Sequence, residues 1–144
     1  MPRVDFYILS DPLPQARLKV ACRLVEKAYE AGQKIYVQTA AEADSKAIDD
    51  LLWTFSDGSF IPHEIAAGDG ASHERIVALI GTGPAPDPRY RQLIVNLSDA
   101  MPFDGELAER IVEIVGADAQ RKGLARERFR VYRDRGCTLD THNL

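Results

Sequence analysis

Lys122, Arg126, Arg130 and Arg133 recur at intervals of four and three residues near the end of the chain, with Phe129 among them. A guanidinium fork binds a carboxylate in bidentate fashion, and a neighbouring aromatic edge offers an apolar contact. The chemistry these residues suit is recognition of an acidic peptide that carries a hydrophobic end. On a helix with Arg126 set to zero, the four cations share a stripe of about 80°, and Phe129 lies beside it at about 300°. The same projection places Leu124 and Val131 at about 160° and 140°, so these two are expected to face the sheet, with Ala125 and Tyr132 on the flank. Residues 121–135 hold seven cations against two acids, whereas the rest of the chain holds 11 cations and 20 acids. Separated charge of this kind suits one face to an anionic partner. A general nucleic-acid binder would be basic throughout. A solvated face paired with surface acids, the ordinary use of a charge run, is the competing account of the same residues.

Residue sets that make or break bonds are missing. The turn after the first apolar run reads SDPLPQAR, with neither GxGxxG nor GxxxxGK[ST] where a phosphate would be cradled. Gly68-Asp69-Gly70 opens no helix and reads as a flexible connection, and Gly81-Thr82-Gly83 runs into Pro84 as a turn. His63, His73 and His142 stand at unrelated spacings without HExxH, so no metal site is expected. Cys22 and Cys137 have no CxxC partner and begin no Cys-x5-Arg loop, which points to reduced thiols and a cytoplasmic location. No GxSxG elbow occurs. Asp5 and Asp11 imitate part of a receiver-type acidic pocket, but Ile80-Gly81-Thr82 supplies neither the further aspartate nor the later lysine. No catalytic residue and no cofactor is expected. Two other classes stay open: a nucleotide-binding domain or small enzyme using the crevice at the strand carboxyl ends, and direct single-strand binding by the basic helix. The second lacks a ladder of stacking aromatics, since Phe129 and Tyr132 are expected to point to different sides.

The elements that position these residues follow from periodicity. Val4–Leu9 is a β-rich run. Leu18, Cys22, Val25 and Tyr29 mark one face of a helix from Pro14 to Ala31, with Gly32 placed to end it. Lys34–Thr39, Ile76–Ile80, Gln92–Leu97 and the β-branched Ile111–Val115 read as further strands, and Ala41 to about Trp53 reads as a helix buried by Ala47, Ile48, Leu51 and Leu52. The basic segment makes the last helix, from near Asp118 to a stop at Gly136. This order predicts an α/β layered fold, a mostly parallel sheet of about five strands flanked by helices. At 144 residues the chain is expected to be a single domain, residues 1–144, without a linker or repeat. Its apolar runs fall far short of the roughly 20 residues of a membrane span, and MPRVDFYILSD lacks a signal layout.

A second surface lies at the end of the second helix. Relative to Ile48, Trp53 falls at about 140°, nearly opposite the apolar stripe. Phe60, Ile61 and Pro62 follow in a loop too short to hide all three, so an aromatic protein interface is expected there. The alternative is that Trp53 folds over the helix end and caps the core with Phe60.

These stretches resemble a known family, the chi subunit of bacterial DNA polymerase III. The matching residues are Phe6-Tyr7-Ile8-Leu9, Cys22-Arg23-Leu24 with Glu26-Lys27-Ala28-Tyr29 and Gly32, Ile48-Asp49 through Leu52-Trp53, Ser59-Phe60-Ile61-Pro62-His63, Leu93–Leu97, and Ala125-Arg126-Glu127-Arg128-Phe129-Arg130-Val131-Tyr132 with Gly136. They span nearly the whole chain in the family's order. The resemblance implies a nucleotide-binding-like α/β topology without a phosphate loop, and an adaptor without catalysis. It implies a psi subunit of the clamp loader on Trp53, Phe60 and Pro62, a patch that could also recruit an accessory helicase. It implies the acidic C-terminal tail of single-stranded DNA-binding protein on Arg126, Phe129 and Arg130. Here Phe129 stands where a tyrosine is familiar and Arg130 where a lysine is, which keeps an aromatic and a cation but no hydroxyl. Neither sequence-specific nucleic-acid binding nor membrane association is implied.

Overall fold

The computed structural model of the chain describes residues 2–54, 60–66, 71–102 and 108–144. In chain order the elements are β1 (Arg3–Ile8), α1 (Pro14–Glu30), β2 (Ile35–Gln38), α2 (Glu42–Thr54), β3 (His63–Ile65), β4 (Ala78–Gly81), a short 3-10 turn at Pro88–Tyr90, β5 (Leu93–Asn96), β6 (Arg110–Val115), α3 (Ala119–Asp134) and β7 (Thr138–Asn143). The strands form one sheet in the order β3-β4-β2-β5-β6-β1-β7, and every pairing is parallel. Among the described residues no helix is long and apolar enough to cross a membrane.

Five of the seven strands follow the apolar runs expected from sequence, and the other two are the sheet's edges. β3 is three residues long, and β7 reads TLDTHN, with no continuous apolar run to announce it. An edge strand has less to bury, so its hydrophobic signal is weak. β6 shows the opposite case. From Ile111 onward it is buried on both faces, as a central parallel strand must be, so its β-branched run outweighs its helical period. The expected Gly68-Asp69-Gly70 loop lies outside the described residues.

Two helices cover one face of the sheet and one covers the other. Cys22 and Val25 of α1 and Ile48 and Leu52 of α2 pack against Val37, Ile80, Val95 and Val112. On the opposite face Ala125 and Tyr132 of α3 pack with Val4, Phe6, Ile111 and Val115. The split follows from connectivity. Through α1 the chain moves from β1 toward the β3 edge, whereas through α3 it moves from β6 past β1 to β7. Crossovers of one hand that run in opposite directions place their helices on opposite faces. Consequently α3 is, among the described residues, the one helix over the β1–β7 side.

Two projections need correction. Tyr29 is exposed, and the small Ala21 and Ala28 take the buried face of α1 instead. On α3, Val131 is exposed and Leu124 only half-buried, while Ala125, Arg128 and Tyr132 face inward. The helix is rotated toward its aromatic side because Phe6 of β1 offers an aromatic partner there. Both long helices stop where expected. Gly32 and Gly136 adopt φ of 75° and 81°. In each case the glycine and the next residue donate to carbonyls of the last turn, a Schellman closure that favours a residue without Cβ.

Candidate functional site

The basic helix starts at the N-cap Asp118, whose side chain accepts from the Arg121 backbone N–H at 3.0 Å. From there α3 runs along β1 and β7 and leaves a groove of about 450 Å³ beside it. Phe6 and Ile8 of β1 form the floor with Ala125 and Phe129, Thr141 of β7 lies at one side, and Lys122, Arg126, Arg130 and Arg133 line the rim. Phe129 leans on Phe6, with ring centroids 5.4 Å apart and planes at 53°. Arg126 and Arg130 are exposed, and among the described residues they and Lys122 form no ion pair. Arg133 makes only a loose contact with its neighbour Asp134 at 3.6 Å. The expected stripe is therefore a row of cations on solvent, above an apolar floor. Phe129 and Tyr132, expected to diverge, converge on Phe6. Tyr132 is fully buried and offers no face for a base to stack on.

A buried network fixes the orientation of this helix. Glu113 of β6 is fully buried and accepts from Arg128 Nε at 3.1 Å, Tyr132 Oη at 2.6 Å and Asn96 Nδ2 at 3.0 Å. Arg128 also donates to the Asp99 carbonyl at 3.0 Å. Burial pushes the Glu113 carboxyl up, against the pull of the Arg128 charge and of the hydrogen bonds from Tyr132, Asn96 and Arg128. Burial and the Glu113 charge together push the Tyr132 hydroxyl up. Two residues that flank Arg126 and Phe129 are thus tied to the sheet. Arg128 is one of the seven cations of residues 121–135 but lies outside the exposed stripe, and its burial is not expected from that count. A signal was present: at about 200° it lies opposite the stripe, toward Tyr132, and Glu113 interrupts an apolar run that needs a buried counter-ion.

The second expected surface is also open. Trp53 and Phe60 are 53% and 61% exposed, and their rings lie 5.5 Å apart, so together they do not cap the core. Pro62 is half-buried, and its carbonyl accepts from Val77 and Ala78, which pins the loop to the head of β4. Ile61 is buried. His63 is the unexpected member. It is buried, its ring nitrogens lie 2.6 Å from the Ile61 carbonyl oxygen and 3.0 Å from that of Asp49, and its ring supports Trp53 at 4.6 Å. The patch sits at the β3 edge and the groove at the β7 edge, six strand spacings away or about 29 Å.

Other candidates do not assemble. Asp5 is buried and takes bonds from Arg3, Arg110 and His142, while exposed Asp11 accepts from the Leu13 backbone N–H in a turn. Among the described residues no group of three His, Cys, Asp or Glu could hold a metal. Cys22 and Cys137 are unpaired, and burial pushes the Cys22 thiol up to about 12. A crevice of about 280 Å³ does open at the carboxyl ends of β1 and β6, where the chain direction along the sheet reverses. Asp11 and Asp118 offset Arg17 and Arg121 there, Pro14 at the first turn of α1 has no N–H for a phosphate, and arginine stems crowd Gly116.

Residues 1–140 match the family model described as DNA polymerase III chi subunit, HolC. The chain is 40% identical over 144 residues to a Pseudomonas aeruginosa protein named DNA polymerase III subunit chi, covering 100% of this chain and 98% of that one. Proteins of the same name from Haemophilus influenzae and Escherichia coli are 28% and 24% identical, covering 97% and 98% of this chain and 96% and 97% of theirs.

Proposed function

Because the chain belongs to the DNA polymerase III chi subunit family, we propose that it is a non-catalytic adaptor that joins the clamp loader to single-stranded DNA-binding protein. Chi is an accessory subunit in DNA replication. On this reading the tail of single-stranded DNA-binding protein binds the groove of α3. Arg126 and Arg130 take its carboxylates, and Phe129 with Phe6 receives its terminal aromatic ring. The patch of Trp53, Phe60 and Pro62 takes the psi subunit, or an accessory helicase in its place.

The single observation that carries this reading is the pairing of exposed arginines with an apolar floor in one groove. Exposed cations alone would serve solubility, and an apolar cleft alone would attract any hydrophobic chain. Together they select a peptide that is acidic and ends in an apolar side chain. A short peptide buries little area and must be ordered, so the affinity should be micromolar, on the order of −7 to −8 kcal/mol. The test is calorimetric titration of a synthetic acidic peptide ending in phenylalanine. Arg126→Ala should weaken binding by about tenfold, the scale of one charge-assisted hydrogen bond in a partly screened site. Equal affinity for wild type and variant would remove the site.

A further inference from the structure

We propose that the outer edge of β7 is a docking strand, on which the peptide chain behind the acidic tip adds as an eighth strand of the sheet. The proposal rests on the tail-binding reading of the groove and extends it from the tip to the residues that precede it. β7 is six residues long and, among the described residues, pairs on one side only, with β1. Thr138 donates to the Pro2 carbonyl at 3.1 Å and Leu144 to the Ile8 carbonyl at 2.9 Å. In a parallel ladder a residue turns its N–H and C=O to the same side, and alternate residues turn them to opposite sides. Thr138, Asp140 and His142 therefore serve β1, and Leu139, Thr141 and Asn143 direct both backbone groups outward.

Those outward residues are also the ones whose side chains stand on the groove face. Thr141 lines the groove, and Leu139 packs in the apolar cluster under α3. A peptide whose tip lies on Phe6 and Phe129 leaves the groove past Thr141 and meets this row of backbone groups. Exposed edges are normally blunted by proline, lysine, a bulge or shortness. The opposite edge, β3, is only three residues long, but TLDTHN has none of these devices. Its single charge, Asp140, lies on the far face and is held by Arg3 at 3.0 Å.

Charge selects the occupant. An acidic chain on this edge runs alongside Lys122, Arg126, Arg130 and Arg133 and is attracted along its length. A second copy of this protein pairing antiparallel, edge to edge, would bring two such helices together on one face, and like charge opposes it. The polar β7 has little hydrophobic surface to overcome that repulsion.

The experiment compares two synthetic acidic peptides ending in phenylalanine, one carrying only the tip and one extended toward its N-terminus by about eight residues, enough to span a six-residue strand. The longer should bind about tenfold tighter, a gain of a few main-chain hydrogen bonds. Backbone N-methylation of alternate residues in the extension should abolish that gain in one phase and leave it in the other. Amide hydrogen exchange should slow at Leu139, Thr141 and Asn143 of the full chain, with Asp140 and His142 unchanged. Equal binding of both peptides, or equal effects of both methylation phases, overturns strand addition and leaves the tip site standing. Failure of either peptide to bind overturns the groove reading and this proposal with it. A dimer by sedimentation that dissolves on Thr141→Pro would show the edge occupied by a second copy, which also overturns it.

Discussion

Arg126 and Arg128 are two residues apart on one helix and do opposite work. Arg126 projects into solvent and has no ionic partner among the described residues, whereas Arg128 is buried against Glu113. Removing one partner of a buried pair strands the other charge, so Arg128→Ala should cost about 3–5 kcal/mol in urea unfolding. Arg126→Ala, at the surface, should stay within about 0.5 kcal/mol while weakening the peptide. Asp5 gives the pH prediction. Burial by itself would raise its carboxyl, but hydrogen bonds from Arg3, His142 and Arg110 outweigh that and hold it below the ordinary value. A carboxyl lowered in the folded state contributes stability that is complete above its unfolded value, about 3.9, and is lost as pH falls through the folded one. Stability measured from pH 7 downward should therefore begin to lose this contribution below about pH 4. Asp5→Asn should lower stability at neutral pH and make the acid limb shallower. An unchanged acid limb would show that the Asp5 cluster contributes nothing there.

α3 combines two elements of one design, a buried face that fixes its rotation and an exposed face that carries charge. Gly123 is the weak point in its first half. A Cβ built there meets no atom within 4 Å, so nothing in the packing requires glycine. Gly123→Ala should raise stability by roughly 0.5–1 kcal/mol, through helix propensity and a less flexible unfolded chain. The melting temperature should rise and peptide affinity should stay as in the wild type, because Gly123 does not line the groove. Gly81 differs. A Cβ there would stand 2.5 Å from the Tyr36 hydroxyl, which donates to the Gly83 carbonyl. The turn expected at Gly81-Thr82-Gly83 is thus also a close approach between a strand end and a core tyrosine.

At the scale of the whole molecule, the separation of the two surfaces makes a bridging role testable. Sites about 29 Å apart share no partner, so their variants should act independently. Trp53→Ala should abolish co-purification with psi, leave the acidic peptide's affinity as in the wild type and barely change the melting temperature. A large fall in melting temperature would return Trp53 to the core. How these surfaces were legible differs by range. Arg126, Arg130 and Trp53 stood out because the side-chain period of a helix reports locally which positions share a face. The helix stops at Gly32 and Gly136 were equally local. Lys34–Thr39 and Ile111–Val115 announced strands by their own composition, and with the α/β order this was enough for the fold class. The sequence could not tell that Arg128 meets Glu113, that Phe129 rests on Phe6, or that TLDTHN pairs beside β1. Each of those facts depends on which distant segment arrives opposite, and strand order decides that. Local patterning set the faces that needed covering, and the tertiary structure alone determined that α3 covers only part of its side, leaving an apolar floor open beneath a row of cations.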